Sequence, residues 1–524
     1  MKLRTIVKIA ITSSVVLLCS GFALYSFFRL SAAEGQKDFN LYELVPSTTS
    51  AVFVTDDVLE FVAEVDELTC SKNQQYLYVS KLFSYLKQSL YALSEDTPHG
   101  LSRQMNQMLI SFHEPDNERN QVLYCRLGNG DKELVNRFVR KYISSLYPPK
   151  TFIYKGEEII IYPMADGDFL ACYLASDFMA LSFQKKLIEN VIDAYKSGKS
   201  LADDSTFTGI RAPKKSAAAA TIYTRMQGMM GWTEFDMKMK DDFIYFSGIT
   251  HDADTCFAFI NQLRQQQSVK RFPGEVLPST AFYFSRQGIT DWVSLLSYGN
   301  AQGQSVPART SEVQNRDKEF SRYLMENAGQ DLVACLFQRE DTLQGAAAVL
   351  SLSVADVTEA ERMLRALVNA ASADEGRKNP RITFCYTVNK AYPIYRLPQT
   401  TLFEQLTSFA EPTLDVYAAF YGGRLLLAPD ADALAHYIRQ LDKGEVLNGA
   451  MAYQTGMDHL SDSYHFMLMA DFDHIFQQSE NHVRFVPDFF LRNADFFCHF
   501  TLFVQFACAD GVVYPNIVLK YKSE

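Results

Sequence analysis

The sequence lacks the short motifs that mark the common catalytic and nucleotide-binding sites. It contains no H-E-x-x-H, no G-x-x-x-x-G-K-[ST], no G-x-S-x-G and no G-x-G-x-x-G. Histidine is scarce, with nine residues scattered along 524 positions, whereas a metal site needs clustered ligands. The absence of these motifs does not exclude catalysis, but it argues against the enzyme classes that depend on them. We predict no catalytic, cofactor-binding or metal-binding residue, and no cofactor.

Positive charge is also in short supply. Lys and Arg number 50 against 61 Asp and Glu, which gives a net charge of −11. The first 33 residues carry four cations and no acid, so −15 is left for the rest of the chain. An acidic surface repels phosphate backbones, and we therefore expect no nucleic-acid partner.

The cysteines lack the close pairing that metal sites and disulfide-rich domains show. Eight of the nine follow residue 33, and most lie inside apolar runs such as Leu123-Tyr124-Cys125. An even number in an exported domain permits disulfides. We favour buried, reduced cysteines that act as small hydrophobic residues.

The N-terminal segment has the pattern of a membrane anchor. Lys2, Arg4 and Lys8 precede an uncharged run of 20 residues, 9–28, which is long enough to cross a bilayer. Residues 31–33 also have the small side chains of a cleavage site, so a cleaved signal peptide remains an alternative interpretation. The anchor is favoured because Arg29 follows the run and a signal peptide has a shorter apolar region. The cationic flank is expected to stay in the cytoplasm, which places the bulk of the chain in the periplasm of a bacterium.

A motif near the start of the body recurs in the second half of the chain. Val45-Pro46-Ser47-Thr48 returns as Leu277-Pro278-Ser279-Thr280, and each copy leads into a short apolar strand. A predicted helix from Asp131 matches one from Asp356 at an offset of 225, and a later helix repeats its apolar face at 247. The common order and slowly drifting offset indicate an internal duplication with a period typical of domains.

The predicted elements favour an α+β fold, a duplicated domain of antiparallel or mixed sheet packed with helices, after one N-terminal transmembrane helix. Predicted strands include residues 108–112, 121–126, 169–174, 501–507 and 512–521, and predicted helices include 131–146 and 185–196. Residues 299–315 have the composition of a long flexible loop. The predicted divisions are a cytoplasmic tip (1–8), an anchor (9–28), a polar tether (29–44), unit one (45–271) and unit two (272–524).

One stretch resembles the S-x-x-K motif of penicillin-binding enzymes. That interpretation makes Ser84 the nucleophile and Lys87 the base, with Lys196-Ser197-Gly198 as the third motif. The expected middle motif is missing between them, since Tyr298-Gly299-Asn300 follows both. We favour the alternative that Ser84 and Lys87 lie on the polar face of an amphipathic helix.

A second stretch has the spacing of a possible cation site. Asp471, Asp473 and His474 form a D-x-D-H cluster, a spacing that could coordinate a divalent cation. The favoured alternative is a solvated strand-to-helix turn in which Asp473 caps the helix.

The layout resembles a family of uncharacterised single-pass envelope proteins of Bacteroidota. The residues that carry the resemblance are Leu44-Val45-Pro46-Ser47 before a strand and the Gly422-Gly423 pair between two strands. Unit one has Asp166-Gly167 where the glycine pair is expected, so the signature is partial. The resemblance implies location and architecture and no established activity.

Two functions fit these observations. The preferred one is a non-enzymatic protein of the inner (cytoplasmic) membrane, anchored through residues 9–28, whose periplasmic body binds or scaffolds envelope proteins or cell-wall components in a groove between its two units. The alternative is an envelope hydrolase acting on peptidoglycan or peptide. It requires Ser84, or Asp471 with His474, to meet a base in a pocket.

Overall fold

The computed structural model describes most of the chain beyond residue 38. It covers residues 39–522 except 78, 81, 85–86, 88–104, 115–116, 118, 129–130, 139–146, 165–166, 212–217, 226–230, 252–257, 271–273, 275, 297–310, 340–345, 375–381, 389, 408–412 and 478–485. The predicted anchor and the Tyr298-Gly299-Asn300 candidate lie outside the described residues. Among the residues that are described, no helix has the length and apolar character needed to span a bilayer.

The fold is α+β, with a large antiparallel sheet. The strands of the first half are β1 Ala51–Thr55, β2 Met108–Phe112, β3 Gln121–Arg126, β4 Lys150–Tyr154, β5 Glu157–Pro163, β6 Phe169–Leu174, β7 Phe178–Ser182, β8 Ala220–Thr224, β9 Trp232–Lys240 and β10 Phe243–His251. The short strand β11 Val269–Lys270 ends the first half, and those of the second half are β12 Ala281–Gly288, β13 Ala328–Phe337, β14 Ala347–Val354, β15 Ile382–Tyr386, β16 Ala391–Arg396, β17 Tyr417–Tyr421, β18 Arg424–Ala428, β19 Ser463–Tyr464, β20 Phe466–Asp471, β21 Phe500–Ala509 and β22 Val512–Tyr521.

Helices pack on both faces of this sheet. They are α1 Val58–Glu67, α2 Thr69–Lys72, α3 Asp131–Phe138, α4 Lys185–Ser197, α5 Ser205–Ile210, α6 Ala258–Arg264, α7 Ser311–Asn327, α8 Val357–Asp374, α9 Leu402–Leu406, α10 Ala431–Asp442, α11 Met451–Met457, α12 Phe472–Phe476, α13 Asp488–Arg492 and α14 Ala494–Phe497. Aspartates begin several of them because a carboxylate accepts the free N–H groups of the first turn. Asp57 accepts from Glu60 N in α1, and Asp430 accepts from Ala433 N in α10.

Twenty strands form one continuous sheet, and the two halves have the same strand order. Read across the sheet, the order is β4-β5-β6-β7-β3-β2-β1-β8-β9-β10-β22-β21-β20-β12-β13-β14-β18-β17-β16-β15. The halves meet where β10 pairs with β22, from Phe243 opposite Lys520 to Thr250 opposite Val513. We call this pairing the seam. The small strands β11 and β19 pair separately.

The recurring V/L-P-S-T motif makes the same contacts in both halves. Pro46 forms an isolated bridge with Ser200, and Pro278 forms one with Val446. In each half this bridge ties the segment before the first strand to the loop that follows the long helix α4 or α10. The sequence motif therefore marks equivalent positions in the two halves of the sheet.

The core has one continuous layer on one face of the sheet and two separate layers on the other. Alternation along the strands sends Leu123 and Cys125 to the shared layer, and Tyr124 to the layer under α4. In the second half, α10 covers its own layer with Leu434 and Ile438, both fully buried. Burying each such side chain stabilises the fold by roughly 1.5–3 kcal/mol. The central strands are buried on both sides, which explains their nearly unbroken apolar runs.

Two sequence-based boundaries need correction. The polar tether was expected to extend to residue 44, but Leu41 and Leu44 are buried in the first-half core and residues 41–43 form a 3₁₀ turn. Residues 41–44 therefore belong to the folded body and not to a tether, because these apolar side chains pack instead of being solvated. The predicted loop 299–315 ends earlier than expected, since α7 starts at Ser311 and buries Val313.

Candidate functional site

Ser84 and Lys87 form hydrogen bonds with different partners in the structure. Ser84 is exposed, and its hydroxyl donates to the Ser80 carbonyl oxygen at 3.1 Å. Lys87 Nζ instead binds the Asp66 carboxylate at 2.5 Å. Lys196 lies near the end of α4, where it binds Glu157 at 2.8 Å. In the described part of the chain, the serine hydroxyl forms no hydrogen bond with a base, and the lysine is held as a charged partner of an acid.

The D-x-D-H cluster is a capped helix start, but the capping residue differs from the prediction. Asp471, not Asp473, is the N-cap of α12, because its side chain accepts from Asp473 N. One Asp471 oxygen also binds Lys522 Nζ at 2.6 Å, and the other lies 3.3 Å from His474 Nδ1. Cationic or basic partners already surround this carboxylate. Among the described residues, no group of His, Cys, Asp and Glu has an arrangement that fits a metal ion.

A thiol that sequence analysis did not single out lies near the same turn. Burial raises the pKa of the Cys498 thiol, and the nearby carboxylates of Asp473 and Asp495 raise it further. A reactive cysteine needs surroundings that lower its pKa and favour the thiolate. This thiol is therefore protonated at neutral pH, and its environment does not favour a nucleophile.

At the seam between the two halves, the described residues line a small polar pocket. It measures about 150 Å³ and lies between β10, β22 and residues 459–461. Tyr245 Oη lies 3.2 Å from His459 Nδ1, and Gln505 makes two hydrogen bonds with the Ser461 backbone. Ligand pockets usually span roughly 300–1,000 Å³, so this pocket is smaller than a typical ligand site.

A larger groove lies at the far end of the second half. It measures about 500 Å³ and runs between α8 and the β15–β16 hairpin. Its lining residues are Arg365, Val368 and Asn369 from the helix, and Ile382, Phe384, Ala391, Pro393 and Tyr395 from the strands. We call this the α8–β15 groove. Its walls are mostly apolar with a few polar groups, the composition that is typical of binding sites.

The polar end of the groove is a fixed network of three side chains. Arg365 Nε donates to Tyr395 Oη at 2.6 Å, and Arg365 Nη2 donates to Glu361 Oε1 at 2.8 Å. Tyr395 Oη donates to the same Glu361 oxygen at 2.7 Å. The guanidinium is therefore held in place while its side chain remains 56% exposed.

The electrostatics of this network favour binding. Burial raises the pKa of Tyr395 to about 12, and its hydrogen bond to Glu361 acts in the same direction. Hydrogen bonds to Tyr395 and Glu361 raise the pKa of Arg365 above its ordinary value. At neutral pH the tyrosine is protonated and the arginine is charged, so both act as hydrogen-bond donors. Neither is a general base.

Comparisons with known proteins give no further guidance, since no family model, no curated protein and no solved structure matches this chain.

Sequence analysis missed the α8–β15 groove, although a signal for its strand was present. Thr383-Phe384-Cys385-Tyr386 in β15 matches Thr151-Phe152-Ile153-Tyr154 in β4 at an offset of 232. This is the offset that separates Pro46 from Pro278. Both strands carry exposed aromatic side chains, with Phe384 at 52% and Phe152 at 41%.

Proposed function

We propose that this chain is a non-enzymatic binding or scaffolding protein of the cell envelope, held in the inner membrane by residues 9–28. The uncharged run behind a cationic tip supports the anchor, with the N-terminus in the cytoplasm and the body in the periplasm. The resemblance to single-pass envelope proteins of Bacteroidota supports the same location. Candidate partners are envelope proteins or cell-wall components.

The body is further proposed to be a duplicated domain, with units at 45–271 and 272–524. The common strand order of the two halves supports this, since ten strands recur in the same spatial sequence on each side of the seam. The shared bridges of Pro46 and Pro278 support it at the level of single residues. The offsets in the sequence point to the same equivalences.

The observation that carries the binding role is the α8–β15 groove. It combines apolar walls with a charged donor whose position is fixed by Glu361 and Tyr395. A preorganised donor loses little conformational entropy when it meets a partner, which favours binding. The long side chain of Arg365 offers further N–H groups, because its hydrogen bonds to the described residues are donated by Nε and Nη2, which leaves Nη1 for a partner.

The test is in-cell cross-linking from inside the groove. A photo-reactive amino acid at Asn369 is expected to capture a defined envelope component, and Arg365→Ala is expected to lower that yield. Met451 provides the control position, because it is 80% exposed on α11 at the opposite face of the sheet. Equal, non-specific yields from the two positions would refute a binding role for the groove.

A further inference from the structure

The outer strand β15 has the character of an unprotected pairing edge. Within the described part of the chain it pairs only with β16. Its sequence, Ile382-Thr383-Phe384-Cys385-Tyr386, contains no charge and no proline. Proteins usually protect exposed sheet edges with charged residues, proline or bulges, because open backbone groups recruit other strands.

We propose that the partner of the α8–β15 groove is a second copy of this chain, whose own β15 pairs antiparallel with this strand. The inference rests on the proposed binding function and names its occupant. Two copies related by a two-fold axis present the same patch to each other, so the patch must be complementary to itself.

The strand is self-complementary when the two-fold axis passes through Phe384. Antiparallel pairing then sets Phe384 opposite its own copy and Tyr386 opposite Ile382 of the other chain. Tyr386 is 71% exposed, and Ile382 lines the groove beside Tyr395. The exposed tyrosine of each copy is thereby placed at the groove of the other, within reach of the Arg365 guanidinium. That cation is able to bind a tyrosine ring or hydroxyl.

The seam provides a precedent for this mode of association within the chain. There, the equivalent strands β10 and β22 of the two halves pair antiparallel, edge to edge. The fold therefore already joins two similar units by extending one sheet into the next, without an intervening helix. Pairing of β15 with β15 of a second copy repeats that solution at the far end of the sheet.

The other outer strand, β4, is less suited to self-pairing. Lys150 begins it and Lys155 follows it, and Lys185 Nζ lies 5.1 Å from the centre of the Phe152 ring. Lysine is a common protection of an exposed edge because its charge is costly to bury in a new ladder. Because β15 has no charged residue and β4 is flanked by lysines, we infer that β15 is the pairing strand.

The association is expected to be weak in solution. Five-residue strands and one groove per copy bury less than the roughly 1,200 Å² of a standard stable interface. The dissociation constant is therefore expected to lie in the micromolar range. Anchoring both copies in one membrane would raise their effective concentration and favour the dimer.

The decisive experiment exchanges charges at the proposed axis. The full-length chain in mild detergent is studied by sedimentation velocity as wild type, Phe384→Lys and Phe384→Glu. Each variant alone is expected to be monomeric, because like charges lie opposite each other across the axis. An equimolar mixture of the two is expected to recover dimers, because Lys then faces Glu.

The matched control is Phe152→Lys in β4, which should self-associate like the wild type. Circular dichroism checks that the variants are folded, and Phe384 is half-exposed, so little loss of stability is expected. A wild type that stays monomeric up to about 100 µM overturns the inference, and so does a mixture that does not recover dimers. If these fail while Asn369 still captures another envelope component, the proposed function stands and only the second-copy occupant is wrong.

Discussion

The buried charge cluster around Asp331 gives the sharpest stability prediction. Asp331 lies on β13 and is 5% exposed. Its carboxylate accepts from Arg286 Nε of β12 at 3.0 Å and from Arg424 Nη1 of β18 at 3.3 Å. The two arginine side chains are themselves only 13% and 12% exposed. One acid therefore pairs with two nearly buried cations on different strands.

Asp331→Ala leaves both guanidinium groups without their acid. Breaking a buried ion pair by removing one partner costs about 3–5 kcal/mol, because the remaining charge is desolvated and unpaired. We expect a loss of that size in the free energy of unfolding. Urea titration followed by tryptophan fluorescence measures it, and Trp292 is the reporter for this half of the chain, because it is buried there.

The control for Asp331→Ala is Glu359→Ala, which breaks the exposed Arg362–Glu359 pair on α8 and should change the unfolding midpoint little. Adding Arg424→Met to Asp331→Ala should recover part of the lost stability, because it removes one of the two buried cations that the first substitution leaves without Asp331. An Asp331→Ala variant that unfolds at the same urea concentration as Glu359→Ala would refute the reasoning.

The Asp331 cluster also predicts a pH dependence. Burial opposes ionisation of Asp331, but Arg424 and Arg286, with Ser353, outweigh it and hold the pKa of the carboxyl below its ordinary value. A lowered folded-state pKa adds stability that is present above the unfolded pKa of about 3.9 and is lost as the pH falls through the folded pKa. The difference between wild type and Asp331→Ala should therefore narrow below about pH 4.

Three further predictions concern packing, acid sensitivity and thiol chemistry. Gly456→Ala should destabilise the chain by about 1–3 kcal/mol in urea titrations, since an added Cβ would lie 2.2 Å from the Phe503 ring. Burial lowers the pKa of His113 to about 4. Between pH 6.5 and 4 the folded chain therefore binds fewer protons than the unfolded chain, so stability falls on acidification. A His113→Gln variant should show a shallower fall in its unfolding midpoint over this pH range. Native alkylation followed by mass spectrometry should modify the half-buried Cys498 before Cys335, whose pKa is raised by complete burial.

Each of these has a contradicting result. Gly449→Ala is the control for Gly456, because no atom lies within 4 Å of its added Cβ, and equal losses for the two would remove the packing argument. Identical midpoints for His113→Gln and wild type across pH 4 to 6.5 would show that His113 titrates normally. Simultaneous alkylation of the two cysteines would show that the core opens faster than the reagent reacts.

The strands were predictable where apolar residues follow a regular pattern along the sequence. The predicted strands 108–112, 121–126 and 169–174 coincide with β2, β3 and β6, because apolar runs bounded by turns define them locally. Strand β9 was missed because its alternation breaks, with Trp232, Glu234 and Met237 buried. Glu234 is an acid in a buried position, which a hydrophobic pattern cannot reveal.

The candidate site was beyond the reach of sequence patterns for a different reason. Arg365 and Tyr395 are 30 residues apart, and their contact depends on α8 lying across the strand that pairs with β15. The outer position of β15 depends in turn on the pairing of every strand in its half. Helical spacing correctly gave the helix from Asp356, but spacing within a helix carries no information about which strand it will face.

The seam sets an order of events during synthesis. Strand β22 follows every other described strand in the chain, yet it is the one that joins the second half to β10. During synthesis the outer edge of β10 therefore has no strand to pair with until β22 is made, more than 250 residues after β10. A nascent chain with such a long delay is exposed to chaperones and proteases, and a premature stop before β22 would remove the strand pairing that makes the two halves one continuous sheet.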